Sequence, residues 1–145
     1  MDISIRTLET RNYAAVKDLI SNELGYSNLN KEDTFKRLDA IRKHKDYQTL
    51  VAVYNNTVIG FIGLYRGIAF NIAGEYLQII ALAVNREYQN SGAGKQLLDK
   101  AEKYAQNEKI FSIGLNSGLH REKEHAFYEH GGYVKKSYSF QKSFQ

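Results

Sequence analysis

The chain has 145 residues and a mass of 16.6 kDa, a length that suits a single domain over 1–145 with enough core to fold without staples. Hydrophobic residues make up 43% and charged residues 25%, which excludes a disordered chain, and the absence of cysteine excludes disulfides, thiolate metal sites and a thiol-bound acyl intermediate. The net charge is a mild +4, from 20 Lys+Arg against 16 Asp+Glu, with no block of five like charges, so a basic nucleic-acid-binding tail is excluded too. The most apolar run, Ile79 to Val84, is far shorter than the roughly 18 residues of a membrane helix. The N-terminus carries Asp2, Arg6 and Glu9 and lacks the apolar stretch of a signal peptide. The expectation is a cytoplasmic protein with no membrane partner and no nucleic-acid partner.

Taken in chain order, residues 3–7 alternate and predict a first strand. Thr10 is the expected cap of a helix whose apolar positions are Tyr13, Val16, Leu19, Ile20 and Leu24, stopped by Gly25. Asn30 and Asp33 have the spacing of a capping box, and Phe35, Leu38 and Ile41 carry a second helix to about His44. Proline is absent, so turns must rest on Gly, Asn, Asp and Ser. Asn55-Asn56 between two apolar runs predicts a hairpin, because Asn tolerates positive φ. Residues 76–84 predict a central strand covered on both faces. A helix from Gly94 to about Asn107 follows, with Leu97, Leu98, Ala101, Tyr104 and Ala105 on one face. Phe111 to Leu115 predicts another strand. Glu122 to His130 predicts a short helix closed by Gly131-Gly132. Residues 133–139 and 141–144 predict final strands. The order defines a mixed α/β (α+β) layer fold, helices on a mostly antiparallel sheet.

The stretch that points to chemistry is Gln89-Asn90-Ser91-Gly92-Ala93-Gly94-Lys95. It joins a buried strand to a helix, where small residues let backbone N–H groups converge on an anion. The helix N-terminus adds about half a positive charge at the same spot. Lys95 in the first turn is unfavourable by about 0.3–1 kcal/mol unless an anion sits nearby. A plain strand–turn–helix junction with a solvated Lys95 fits the spacing as well. A nucleoside-triphosphate loop is excluded, because Gln89 and Gln96 stand where it needs Gly and Ser/Thr. A dinucleotide fingerprint is excluded because Leu97 stands where it needs Gly or Ala.

Gln89-x-x-Gly92-x-Gly94, preceded by Leu82-Ala83-Val84-Asn85-Arg86-Glu87-Tyr88, resembles the acetyl-CoA pyrophosphate loop of the GNAT superfamily of N-acetyltransferases. Leu24-Gly25-Tyr26, Val58-Ile59-Gly60-Phe61, and Ala126-Phe127-Tyr128-Glu129 ahead of Gly132-Tyr133 fall in the same family order. The resemblance covers nearly the whole chain.

The resemblance implies acetyl-CoA as cosubstrate, with no metal. It implies that the backbone of Leu82, Ala83 and Val84 meets the pantetheine arm, while the side chains still serve as core. Gln89, Asn90, Ser91, Gly92, Ala93 and Gly94 would hold the pyrophosphate, with Lys95 adding charge or an N–H. Tyr128 matches the family's general acid for the departing thiolate, although a core-edge Tyr is the plain alternative in a chain with 11 Tyr. Arg121, His125 and Tyr128 share one helical face, with Ala126 and Phe127 turned toward the core. Arg121 stands where many members have an Asn touching CoA; a surface Arg is the alternative. Gln78, eleven residues before Gln89, stands where some members carry a Glu base. It cannot take a proton, so Gln78 with Tyr76 would instead hold a relaying water. Glu75, Glu23 and His120 are the other candidate bases.

The function implied is direct transfer of acetyl to a primary amine. The competing reading is a catalytically silent CoA-binding regulatory module. A nucleic-acid binder lacks the required basic cluster. The acceptor is an amine of a small molecule or of a protein, governed by residues 10–44 and 66–75. Tyr138, Phe140 and Phe144 fit either a homodimer contact or ordinary edge-strand packing.

Overall fold

The computed structural model describes residues 1–144. They fall into two compact units, one over Met1–Gly114 and one from Leu115 onward. The first unit carries β1 (Ser4–Thr7), α1 (Tyr13–Glu23), α2 (Lys31–Lys43), β2 (Tyr47–Tyr54), β3 (Thr57–Ile68), β4 (Glu75–Val84) and α3 (Ala93–Asn107). β5 (Ile113–Leu115) ends at the boundary, and α4 (Glu122–His130) belongs to the second unit. The sheet order is β1-β2-β3-β4-β5, and the first three pairings are antiparallel. This is the mixed, mostly antiparallel α/β sheet with flanking helices that the element order implied.

Local chemistry accounts for most boundaries. Asn30 Oδ1 accepts the Asp33 N–H at 3.0 Å and starts α2, which carries Glu32 and Asp33 in its first turn and Arg42 and Lys43 in its last. That charge order complements the helix dipole. Asn55 and Asn56 take φ of 52° and 61°, the positive pair a two-residue hairpin turn needs. The start of α1 differs from expectation. Thr10 opens a short 3-10 turn over Thr10–Asn12, and Asn12 Oδ1, not Thr10, accepts the Glu9 N–H at 2.8 Å.

The core packs against both faces of the sheet. Val51, Val53, Phe61 and Ala83 meet Tyr13, Val16, Leu19 and Leu38 on the face under α1 and α2. Ile59, Ile62, Leu64 and Leu97 are fully buried as well. β4 departs from an unbroken buried strand. Gly63 pairs with Ala81 but Leu64 pairs with Ile79, so Ile80 has no partner and forms a bulge. Ile80 is 47% exposed because the bulge removes it from the in–out alternation.

Two other expectations change. β5 begins at Ile113, leaving Phe111 88% exposed. The described residues from 133 to 144 form neither strand nor helix, and Tyr138, Phe140 and Phe144 are exposed. Alternation alone does not make a strand; it needs a ladder partner and a covered face.

Candidate active site

In the first unit, the 82–84 strand end and the 89–95 loop form one continuous feature. Asn85 donates its N–H to the Ile59 carbonyl at 2.8 Å. By the alternation of an antiparallel ladder, Ala83 also bonds toward β3, where it pairs with Phe61. Leu82 and Val84 therefore aim their N–H and C=O groups at the opposite edge of β4. β3 comes unusually close here. A Cβ on Gly60 would lie 2.9 Å from the Ala83 carbonyl oxygen and 3.3 Å from Val84 Cγ2, so only glycine fits.

The loop is built by local hydrogen bonds. Asn85 Oδ1 accepts the Glu87 N–H at 2.9 Å and starts a 3-10 turn over Arg86–Tyr88. Glu23, the last residue of α1, receives the Arg86 N–H at 3.0 Å and Arg86 Nε at 3.3 Å. Asn90 has φ of 66° and Gly92, which caps α3, has φ of 92°. Ser91 Oγ accepts the Ala93 N–H at 3.3 Å. The first intrahelical bond of α3 runs from Gln96 N–H to the Gly92 carbonyl at 2.9 Å. Gly94 and Lys95 thus keep first-turn N–H groups with no acceptor inside the helix. A Cβ on Gly92 would meet nothing within 4 Å, so that cap faces open space. Open donors at a helix N-terminus, bounded by two positive-φ residues, fit a pyrophosphate. The amide groups that Leu82 and Val84 turn away from β3 suit an extended amide-bearing arm.

Lys95 is the exception within the loop. Its Nζ pairs with Asp99 Oδ2 at 2.8 Å along the exposed side of α3. That pairing, which holds the ammonium above its ordinary pKa, offsets the cost of a cation in the first turn. The backbone N–H of Lys95, not its charge, is the group aimed at the loop.

Gln78 and Tyr76 are half-buried on one face of β4, opposite Tyr65 and Gly67 of β3. Two of the three candidate bases, Glu75 and Glu23, are held by arginines. Glu75 is clamped by Arg66 through contacts of 2.6 and 3.2 Å, which lower its pKa. Glu23 is committed to Arg86. Spacing gave no sign of either ion pair, since the partners lie 9 and 63 residues apart.

The second unit holds Arg121 and Tyr128. Tyr128 is half-buried, with its ring 5.3 Å from Phe127 and 5.8 Å from Tyr133. Burial pushes the phenol pKa up; the Arg121 charge pulls it back in part and Glu124 adds to the rise. Arg121 caps α4 and pairs with Glu124 at 3.0 Å. His125 Nε2 lies 2.8 Å from the Gly118 carbonyl, so the ring serves the loop before the helix. Ala126, expected toward the core, is exposed, while Phe127 is half-buried. A nine-residue helix this short buries only part of one face. Gly132, not Gly131, takes the positive φ that ends it, at 95°.

The family model described as Acetyltransferase (GNAT) family matches residues 13–133, and the chain belongs to this family. It is 34% identical over 113 residues to YhdJ, an uncharacterized N-acetyltransferase of Bacillus subtilis (strain 168), covering 77% of this chain and 78% of that protein. A GNAT family acetyltransferase of Staphylococcus aureus is 29% identical with a TM-score of 0.81, over 99% of this chain and 100% of that one. The aminoglycoside N-acetyltransferase AAC(6')-Iy in complex with CoA shares the fold, with a TM-score of 0.86 at 10% identity over 99% of this chain and 95% of that one. The chain is thus an acetyl-CoA-dependent N-acetyltransferase. Among the described residues no helix is long and apolar enough to cross a membrane.

Proposed function

We propose that the whole chain, 1–145, works as one domain that moves the acetyl group of acetyl-CoA directly to a primary amine. The family match from 13 to 133 runs through both compact units and supports this. When bound, acetyl-CoA supplies a thioester carbonyl activated toward an amine. The residues for the pyrophosphate are Gln89, Asn90, Ser91, Gly92, Ala93, Gly94 and Lys95, with the open first-turn N–H groups of Gly94 and Lys95 as donors. The Leu82–Val84 edge holds the pantetheine arm and presents an N–H to the carbonyl that must gain negative charge. Arg121 adds a positive charge for a cofactor phosphate.

The acceptor must arrive, or become, uncharged, because an ammonium has no lone pair. Aligning it with the carbonyl converts a bimolecular encounter into an effectively unimolecular step. Tyr128 donates its proton to the departing thiolate. Its raised pKa supports that role, since the phenol stays protonated through the neutral range. Gln78 and Tyr76 hold a water that carries the amine's proton away, because neither nearby carboxylate is free to act as a base.

The observation that carries the proposal is the α3 cap: positive φ at Asn90 and Gly92 beside open first-turn donors. A thermal-shift titration with acetyl-CoA tests it. Ligand at 100 times its Kd should add about 2.7 kcal/mol, or several degrees at roughly 2–4 °C per kcal/mol. Gly92→Glu should abolish the shift, and Gly92→Ala reports the cost of backbone strain alone. A folded wild type with no shift would refute the site.

A further inference from the structure

The acceptor side of the first unit has a distinctive chemistry, and its reading rests on the acetyl-transfer proposal above. If the arm runs along β4 from the loop, the reacting end lies beyond Leu82, toward Ile80 and Gln78. The amine must then be held against the neighbouring sheet face. That face has two halves. One is covered by α1 and α2 over Val51, Val53, Phe61 and Ala83. The other is made by Tyr47, Tyr65, Tyr76 and Gln78, all half-buried. Register places them side by side: Tyr47 opposite Tyr65, Tyr65 opposite Gln78, Gly67 opposite Tyr76.

The three tyrosines line one stretch of this face. The Tyr47 and Tyr65 rings are 5.0 Å apart, and His44 lies edge-on to Tyr47 at 4.9 Å. A Cβ on Gly67 would fall 2.9 Å from Tyr76 Oη and 3.0 Å from Tyr65 Cε2. The missing side chain therefore lets the Tyr65 and Tyr76 rings close over the backbone. Among the described residues none of the three phenol hydroxyls, nor the Gln78 amide, has a hydrogen-bond partner. The floor also carries no carboxylate. Glu75 precedes Tyr76 by one position, so it points to the other face, where Arg66 holds it.

We propose that Tyr47, Tyr65 and Tyr76 are the acceptor floor and that the acceptor is an arylalkylamine, one primary amine on a flat aromatic body. Three rings offer stacking and edge contacts to such a body. Free hydroxyls and the Gln78 amide orient its amine. An uncharged surface lowers the pKa of an amine placed on it, which favours the neutral form the reaction needs. The same surface offers no counter-ion to a second or third ammonium, so a polycation would leave charge unpaired.

The test is CoA release by the full-length protein with 2-phenylethylamine, tyramine, spermidine and kanamycin, beside an acetyl-CoA thermal shift. The arylalkylamines should exceed both polycations in kcat/KM by about tenfold or more. Tyr65→Leu should raise the arylalkylamine KM about 3- to 10-fold and leave the acetyl-CoA KM unchanged. Should Tyr65→Leu not fold, Tyr47→Leu replaces it, with the loss read as a raised tyramine KM. Preference for spermidine or kanamycin, no turnover of either arylalkylamine, or an unmoved acceptor KM in the variant overturns the proposal. With the acetyl-CoA shift intact, those outcomes sink the floor alone; with no shift, the acetyl-transfer reading falls as well.

Discussion

Glu23 Oε2 accepts both the backbone N–H and the Nε–H of Arg86, and so ties the last residue of α1 to the turn that leads into the 89–95 loop. Arg86 Nη2 adds a bond to the Asn22 carbonyl at 2.7 Å. The Glu23 side chain is only 12% exposed, so this is more than a surface ion pair. Helix and turn share one hydrogen-bonded anchor.

Replacing that anchor should be felt at the cofactor. Glu23→Ala removes the acceptor for a main-chain N–H and should cost about 1–2 kcal/mol, visible as a lower Tm, with a higher acetyl-CoA KM. Glu23→Gln keeps an amide oxygen for the N–H and should recover part of both losses. An unchanged acetyl-CoA KM in Glu23→Ala would mean that the loop holds its shape without α1.

Gly60 is expected to reject even a methyl group. Its Cβ would sit 2.9 Å from the Ala83 carbonyl oxygen, and backbone cannot step aside as a flexible side chain can. Gly60→Ala should destabilise the protein by about 1–3 kcal/mol. It should also weaken acetyl-CoA binding, because Ala83 and Val84 must shift. Urea melts and calorimetric titration read the two effects separately.

Tyr128→Phe should lower kcat by about 100-fold or more with acetyl-CoA affinity nearly unchanged. Burial raises the phenol's pKa above its usual 10.0. The alkaline limb of the kcat profile that this group causes should therefore lie above that value and vanish in Tyr128→Phe. Turnover at the wild-type level in the variant would remove Tyr128 from the chemistry.

Acid should loosen the contact between α1 and α2 through Asp39. Its carboxylate binds Lys43 and Tyr13, and also Arg42, and its pKa falls from 3.8 to about 2. A depressed folded-state pKa gives stability that is full above 3.8 and lost as pH falls toward about 2. Urea midpoints taken across that window should drop, and Asp39→Asn should flatten the drop while lowering stability at neutral pH.

Much of the fold was legible because it depends on neighbours in sequence. The Asn30 cap, the Asn55-Asn56 turn, the α3 stripe and the Gly92 turn each follow from a residue's own conformational limits and those of residues a few positions away. The places where expectation failed involve distant partners. Ile80 looked like core until register with β3 made it a bulge. Glu75 and Glu23 looked like free bases until Arg66 and Arg86 were found on them. Residues 133–144 alternated like strands, yet no ladder holds them among the described residues.

The amino-acid sequence alone determined the α/β class, the family resemblance and the glycine turn that opens α3, since those rest on local periodicity, short motifs and glycine's backbone freedom. Only the tertiary structure decided which carboxylates are spent on arginines, and that three tyrosines from β2, β3 and β4 share one face. Those facts come from strand register and side-chain reach across up to 63 residues of chain, which no local pattern encodes.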